Sequence, residues 1–311
     1  MKTKLDKYFR ISQRGSTIGT ELIGGATTFA TMAYILAYMT GAMSAVPGID
    51  LTGVLLCTAL ITAISCIAMG LVANAPIALA PVLVIPNLVA GMVASGEATY
   101  GQAFGTVAIS GIVFLLISVF KLRDLFARSL PKNIKIGIGG AVGLLIASIG
   151  LNTSGLAAAG EDGSFINFSD KSVQLGLIGL AIALLLTYLK ITVNGRTYKI
   201  KGALLISIVL TTIIGIPMGV TVLPENIFTR GALASIGNVA FQVDILGALK
   251  LSFVPFIIML LINDFFGTLG TGLAMAGKAG LLDEDGNFPA FGKVFLVDSS
   301  ATILGSLFGI T

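Results

Sequence analysis

The residue best placed to do chemistry in this sequence is Asp264. It lies in the run LINDFFGTLGTG from Leu261 to Gly272, fourteen residues from Lys250 and fourteen from Lys278. In a helix rising 1.5 Å per residue, that is about 21 Å from either charged flank, near the midplane of a bilayer. A carboxylate there is costly and by default marks a substrate or ion pathway. Asn263, Thr268 and Thr271 add hydrogen-bonding groups beside it, and Gly267, Gly270 and Gly272 let a ligand or another backbone come close. The competing reading is an acid bonded to a neighbouring helix for packing alone. Asp298, five residues past Lys293, is a secondary candidate, because that shallow place suits a solvated or capping carboxyl as well as a functional one.

A second anomaly is backbone rather than side chain. From Asn74 to Asn87 the chain places Pro76, Pro81 and Pro86 at intervals of five. Each proline removes a donor and clashes with the preceding turn, which predicts a segment extended in its first half, with the β-prone run Val82–Ile85, and helical only after Asn87. Unpaired backbone at membrane depth is tolerated where it pairs with another segment or lines a cavity, and broken helices build the solute sites of many transporters. The alternative is a kinked structural helix. Thr27, Thr31 and Tyr34 share one helical face and suit either helix–helix hydrogen bonding or a polar cavity wall. Gly139 and Gly143 form a close-packing pair, and no strand-turn-helix context supports a nucleotide loop.

These residues need elements to hold them, and composition says which. The 311 residues are 55% hydrophobic and 11% charged, against about 25% charged in soluble domains, so the chain is an integral membrane protein of close-packed helices. With no histidine, sites that depend on one are excluded, and no nucleophile with a base or metal cluster falls in an apolar run, so an enzyme is not expected. Nine stretches are long enough to span: 22–46, 51–72, 76–94, 103–120, 134–151, 172–189, 202–222, 252–276 and 294–310. Residues 1–21 read as a cytoplasmic leader rather than a cleaved signal. Alternate assignment of the loops puts sixteen of the nineteen Lys and Arg on one side and only Lys171, Arg230 and Lys250 on the other. That bias places the N-terminus in the cytoplasm and the C-terminus outside, and explains the basic balance as topology rather than nucleic-acid binding. Cys57 and Cys66 fall within the second span and read as small packing residues.

Four stretches, GGATTFATMAYIL (24–36), NAPIALAP (74–81), GGAVGLLIASIGL (139–151) and AGLLDEDGNFP (279–289), resemble the AzgA-like hypoxanthine/guanine/adenine permeases of the nucleobase/ascorbate transporter superfamily. The similarity runs from about Tyr8 to the last residue. It implies an all-α polytopic fold of fourteen spans in two inverted seven-span repeats, with core and gate domains, a third span that is part strand and part helix, and proton-coupled purine uptake. On this reading residues 22–222 are the first repeat and 223–311 begin the second, with spans eight and nine only. The resemblance also implies a possible homodimer.

Three departures from the family pattern stand out. Where these permeases read APGMGLNA, this chain has APVLVIPN over 80–87, with valines at 82 and 84 and the asparagine displaced to Asn87. Where they read DLFDTIGT, it has DFFGTLGT over 264–271, so a glycine, Gly267, stands where a carboxylate would contact the purine. The third departure is length. The expected function is therefore secondary transport of a purine nucleobase across the inner or plasma membrane. Asp264, Thr268, Asn87, Gly267, Thr28 and Phe29 bind the solute, Asp264 carries the proton, and Asn263, Thr271 and Asp298 are secondary. No cofactor or metal is expected beyond a proton or other coupling cation. The alternative is a transport-inactive, truncated or degenerate relative acting as sensor or partner, or without function.

Overall fold

A computed structural model of the chain describes residues 4–120, 166–193, 196–200, 202–222, 231–284, 286 and 288–311, with isolated positions between 137 and 156. The helices are α1 (Lys4–Phe9), α2 (Ile18–Met32), α3 (Tyr34–Met43), α4 (Leu51–Ala68), α5 (Val84–Ala94), α6 (Tyr100–Val119), α7 (Lys171–Tyr188), α8 (Ala203–Met218), α9 (Ile245–Ala248), α10 (Val254–Lys278) and α11 (Phe291–Leu307). A short hairpin pairs β1 (Lys190–Val193) with β2 (Arg196–Lys199). Among the described residues, five helical stretches are long and apolar enough to cross a membrane: Ile18–Met43, Leu51–Ala73, Tyr100–Val119, Lys171–Tyr188 and Leu251–Lys278. The expected span over 134–151, and Gly139 with it, lies mostly outside the described residues.

Helix starts follow local side-chain chemistry. The hydroxyl of Thr17 accepts from the Thr20 N–H at 3.2 Å and opens α2 at Ile18, four residues before the expected start. Asp50 caps α4 through the Gly53 N–H at 3.1 Å. Thr99 and Gln102 form a reciprocal capping box on α6.

The contacts divide into two compact units, Met1–Tyr34 with Leu144–Phe228 and Ile35–Gly143 with Thr229–Thr311. In the first, α8 packs on α2 and α7, and Ser207 donates to the carbonyl of Gly179 at 3.2 Å. Large apolar side chains such as Leu180, Leu184 and Leu185 stay exposed on α7, as they would against lipid. The second unit holds the main core. Met39, Met43, Val54, Ile61, Val89 and Phe104 join α3 to α6. Phe114, Phe265 and Phe295 stack edge-on between α6, α10 and α11, with centroids 5.3–6.0 Å apart.

The proline-rich third stretch breaks, though not where its prolines suggest. The end of α4 loosens into a π-turn over Met69–Ala73, Asn74 turns left-handed at φ 49°, and the chain runs without helix to Val82. Helix α5 then begins at Val84 rather than after Asn87. Pro86 is its third residue, where a backbone N–H has no helical partner to lose. The stretch before it is not a strand, because no other described segment pairs with it.

Candidate functional site

The site is built on two antiparallel helices that carry the same spacing. On α10 Asp264 stands four residues before Thr268, and on α11 Asp298 stands four before Thr302, so each pair shares one helical face. They cross-pair: Thr302 donates to Asp264 Oδ2 at 2.8 Å, and Thr268 donates to Asp298 Oδ2. Both carboxyls are buried, with Asp264 4% and Asp298 9% exposed. Burial of two acids is tolerable because each has a hydroxyl aimed at it.

The pairing depends on close approach of α6 to α11. A Cβ added at Gly111 of α6 would lie 3.0 Å from Ile303 Cγ1 and 3.1 Å from Thr302 Cγ2. The Thr302 methyl therefore seats in the space that glycine leaves, which turns its hydroxyl towards Asp264.

Asp264 and Asp298 line an open-mouthed cleft. Its other walls are Leu79–Val82 and Ile85 from the broken stretch, Ile61, Thr62 and Ser65 from α4, and the chain around Gly305 and Ile310. Two side chains hold the broken stretch in place. Cys66 bonds Leu79 in both directions, accepting from its N–H and donating to its carbonyl, each at 3.3 Å. Tyr38 donates to the carbonyl of Leu83 and accepts from Asn87 Nδ2, both at 2.6 Å. The sulfur and the phenol partly do what a neighbouring strand would do for an extended backbone. Cys66 is thus more than the packing residue its sequence context suggests.

The other expected site residues are not among those lining the cavity. Asn87 is exposed at the first turn of α5, off the cavity lining, with its amide turned to Tyr38. Asn263 and Thr271 return their hydrogens to their own helix, at the carbonyls of Met259 and Gly267. A Cβ at Gly267 would meet nothing within 4 Å, so the position that resembles a family carboxylate is open space. Thr28 donates to the Gly24 carbonyl and Phe29 is 70% exposed; both belong to α2, in the first unit. Asp298 is neither solvated nor a cap. Depth counted from Lys293 misplaces it, because α11 begins at Phe291 and its eighth residue falls level with Thr268.

Thr302, Thr62 and Ser65 are the residues sequence reasoning missed. The repeated Asp-three-Thr spacing was a readable signal for Thr302. Hydroxyls inside an apolar α4 gave none. Among the described residues no group of three or more acidic or cysteine side chains is placed to hold a metal ion.

Apolar helices, with a broken stretch beside a cleft that holds a carboxyl pair, fit a multi-pass membrane transporter. The permease family Xan_ur_permease matches residues 19–311, and the chain belongs to it. It is 32% identical to the adenine permease AdeP of Escherichia coli K12, over 98% of this chain and 66% of that protein. It is 31% identical to the guanine/hypoxanthine permease GhxP of Escherichia coli O157:H7, over 98% and 67%. With the guanine/hypoxanthine permease PbuG of Bacillus subtilis it shares 30%, over 97% and 69%. The chain spans about two thirds of the length of these relatives.

Proposed function

We propose that this protein moves a purine nucleobase across the cell's inner or plasma membrane together with a proton, with its N-terminus in the cytoplasm. The observation that carries this reading is the carboxyl pair in the cavity, set against the backbone of Ala80–Val82. A planar, neutral, heteroatom-rich solute suits such walls: the acids and hydroxyls meet its donors, and backbone groups outside a helix meet its other edges. The relatives that transport adenine, guanine or hypoxanthine support the same class of solute.

Asp264 is the proton-coupling group in this reading. It is buried, lines the cavity, and has a neutral hydroxyl rather than a cation as its partner in Thr302. Uptake of radiolabelled hypoxanthine, guanine and adenine by a purine-transport-deficient host tests the function. Uptake above empty vector for at least one base is expected, and none for any base sinks the proposal. Asp264→Asn is expected to remove the proton dependence of what uptake remains.

A second reading, a protein that binds a base without moving it, is favoured by Val82, whose branched side chain narrows a wall that glycine would leave open. Thermal shift of the purified protein by nucleobases, without uptake, would select it.

A further inference from the structure

Helix α4 carries a hydroxyl that nothing described so far employs. Serine and threonine within a helix ordinarily return their hydrogen to a carbonyl three or four residues back, as Thr58 does to Val54 at 2.7 Å. Thr62, one turn further on the same face, has an Oγ1 that is shielded from solvent and has no hydrogen-bond partner. Such groups are rare in native structures, because a buried hydroxyl without a partner loses its bonds to water and regains nothing. Thr62 itself is one of the residues lining the cavity of Asp264, Asp298 and Val82, with Ser65, itself buried, one turn beyond.

We propose that Thr62 is a solute-contacting, specificity-determining residue: on solute binding its side chain turns about χ1, and the hydroxyl so brought into the cavity takes a heteroatom on the edge of the heteroaromatic solute that faces α4. The inference rests on the nucleobase reading above and extends it to a wall that reading leaves without a role. A hydroxyl both donates and accepts, so Thr62 accommodates a ring nitrogen, a ring N–H or an exocyclic carbonyl. It cannot satisfy itself on a C–H edge. A solute lacking the heteroatom leaves the hydroxyl unpaired even when bound, and a site built this way discriminates against that analogue. The carboxyl pair and Thr62 then divide recognition between them: the acids set which groups the solute must donate, and Thr62 sets where around the ring a polar atom must fall.

Thr62→Val, which keeps the branched shape and removes only the oxygen, tests this in uptake assays with hypoxanthine, guanine, adenine and their deaza analogues. For the preferred base, an apparent KM about tenfold higher is expected. Vmax and the pH profile should be unchanged, and Thr62→Ser should restore KM. For the deaza analogue that lacks the contacted nitrogen, wild type and Thr62→Val should be equal. The purified Thr62→Val protein without solute should melt no lower than wild type, since the oxygen it loses is unpaired. That opposition, unchanged stability with weakened binding, is not produced by a packing residue.

If wild type transports a base and Thr62→Val has the same KM for every base, Thr62 has no such role and the transport function stands. A fall in Vmax for all solutes alike, with a lowered melting temperature, also overturns the inference by showing that the hydroxyl supports the fold. If wild type neither transports nor is thermally stabilised by any base, the functional reading and the inference fall together.

Discussion

Helices α2 and α4 carry polar side chains at the same spacing and use them in opposite ways. On α2, Thr27, Thr28 and Thr31 each donate to their own helix, at the carbonyls of Ile23, Gly24 and Thr27, at 2.7–3.0 Å. On α4, Thr58, Thr62 and Cys66 also recur every four residues, yet only Thr58 bonds inward. Cys66 reaches across to the backbone of Leu79, and the Thr62 hydroxyl is left unpaired and shielded beside the cavity. Spacing reports that residues share a face. What that face does depends on whether a neighbour across it has backbone or solute groups to satisfy.

The contrast can be broken or sharpened by substitution. The largest effect is expected at the acid the α4 wall confronts: Asp264→Asn should lower base uptake by about 10–100-fold, the range for losing a charge-assisted contact. Retention of full proton-driven uptake would detach the cavity from transport. Gly111→Val should destabilise the protein by about 1–3 kcal/mol, because its side chain would push into Thr302 and Ile303. Chemical or thermal denaturation measures it, and uptake should fall in step as Asp264 loses its donor.

Cys66→Ala should cost about 1 kcal/mol and reduce uptake, with Cys66→Ser recovering both in part, since a hydroxyl can make the same two bonds to Leu79. Equal behaviour of alanine and serine would mean that the sulfur only packs. Thr28→Val on α2 is expected to change stability by less than about 0.5 kcal/mol and to leave KM within error. A KM shift there as large as at Thr62 would erase the distinction between the two helices and make Thr28 part of the solute site.

The smallest effect is a pH dependence at the mouth of α4. The Asn238 amide donates to Asp50 at 2.8 Å, and with the backbone N–H of Gly53 and the side chain of Ser235 it holds that carboxyl below the usual carboxylate range. The folded pKa is depressed, so the stabilisation is present above the unfolded value near 4 and is lost as pH falls through the lowered folded value. Melting temperature should therefore drop slightly more between pH 5 and pH 3 for wild type than for Asp50→Asn.

Much of this architecture is legible in the residues. Asp264 stands out because a charge fourteen residues from either flank of an apolar run is too costly to keep there without a use. Three prolines in eleven residues announce a broken segment. The start of α5 departs from expectation because a proline bars a helix only where it forfeits a hydrogen bond, and in a first turn it forfeits none. Asp298 is undervalued by its sequence position because depth runs along its own helix, while its partner is set by how α10 and α11 lie side by side.

The sequence by itself determined that this chain is a multi-pass membrane protein, that its proline-rich stretch is broken, and that Asp264 is a costly acid inside an apolar run. Those follow from transfer free energies and backbone chemistry, which act residue by residue. Only the tertiary structure decided that Asp264 answers to Thr302, that Asp298 belongs beside it, that a cysteine sulfur stands in for a missing strand, and that one hydroxyl of α4 is left unpaired beside the cavity. Each is a relation between segments far apart in the chain, where a few ångströms decide whether a polar group is paired, and local pattern carries no record of that distance.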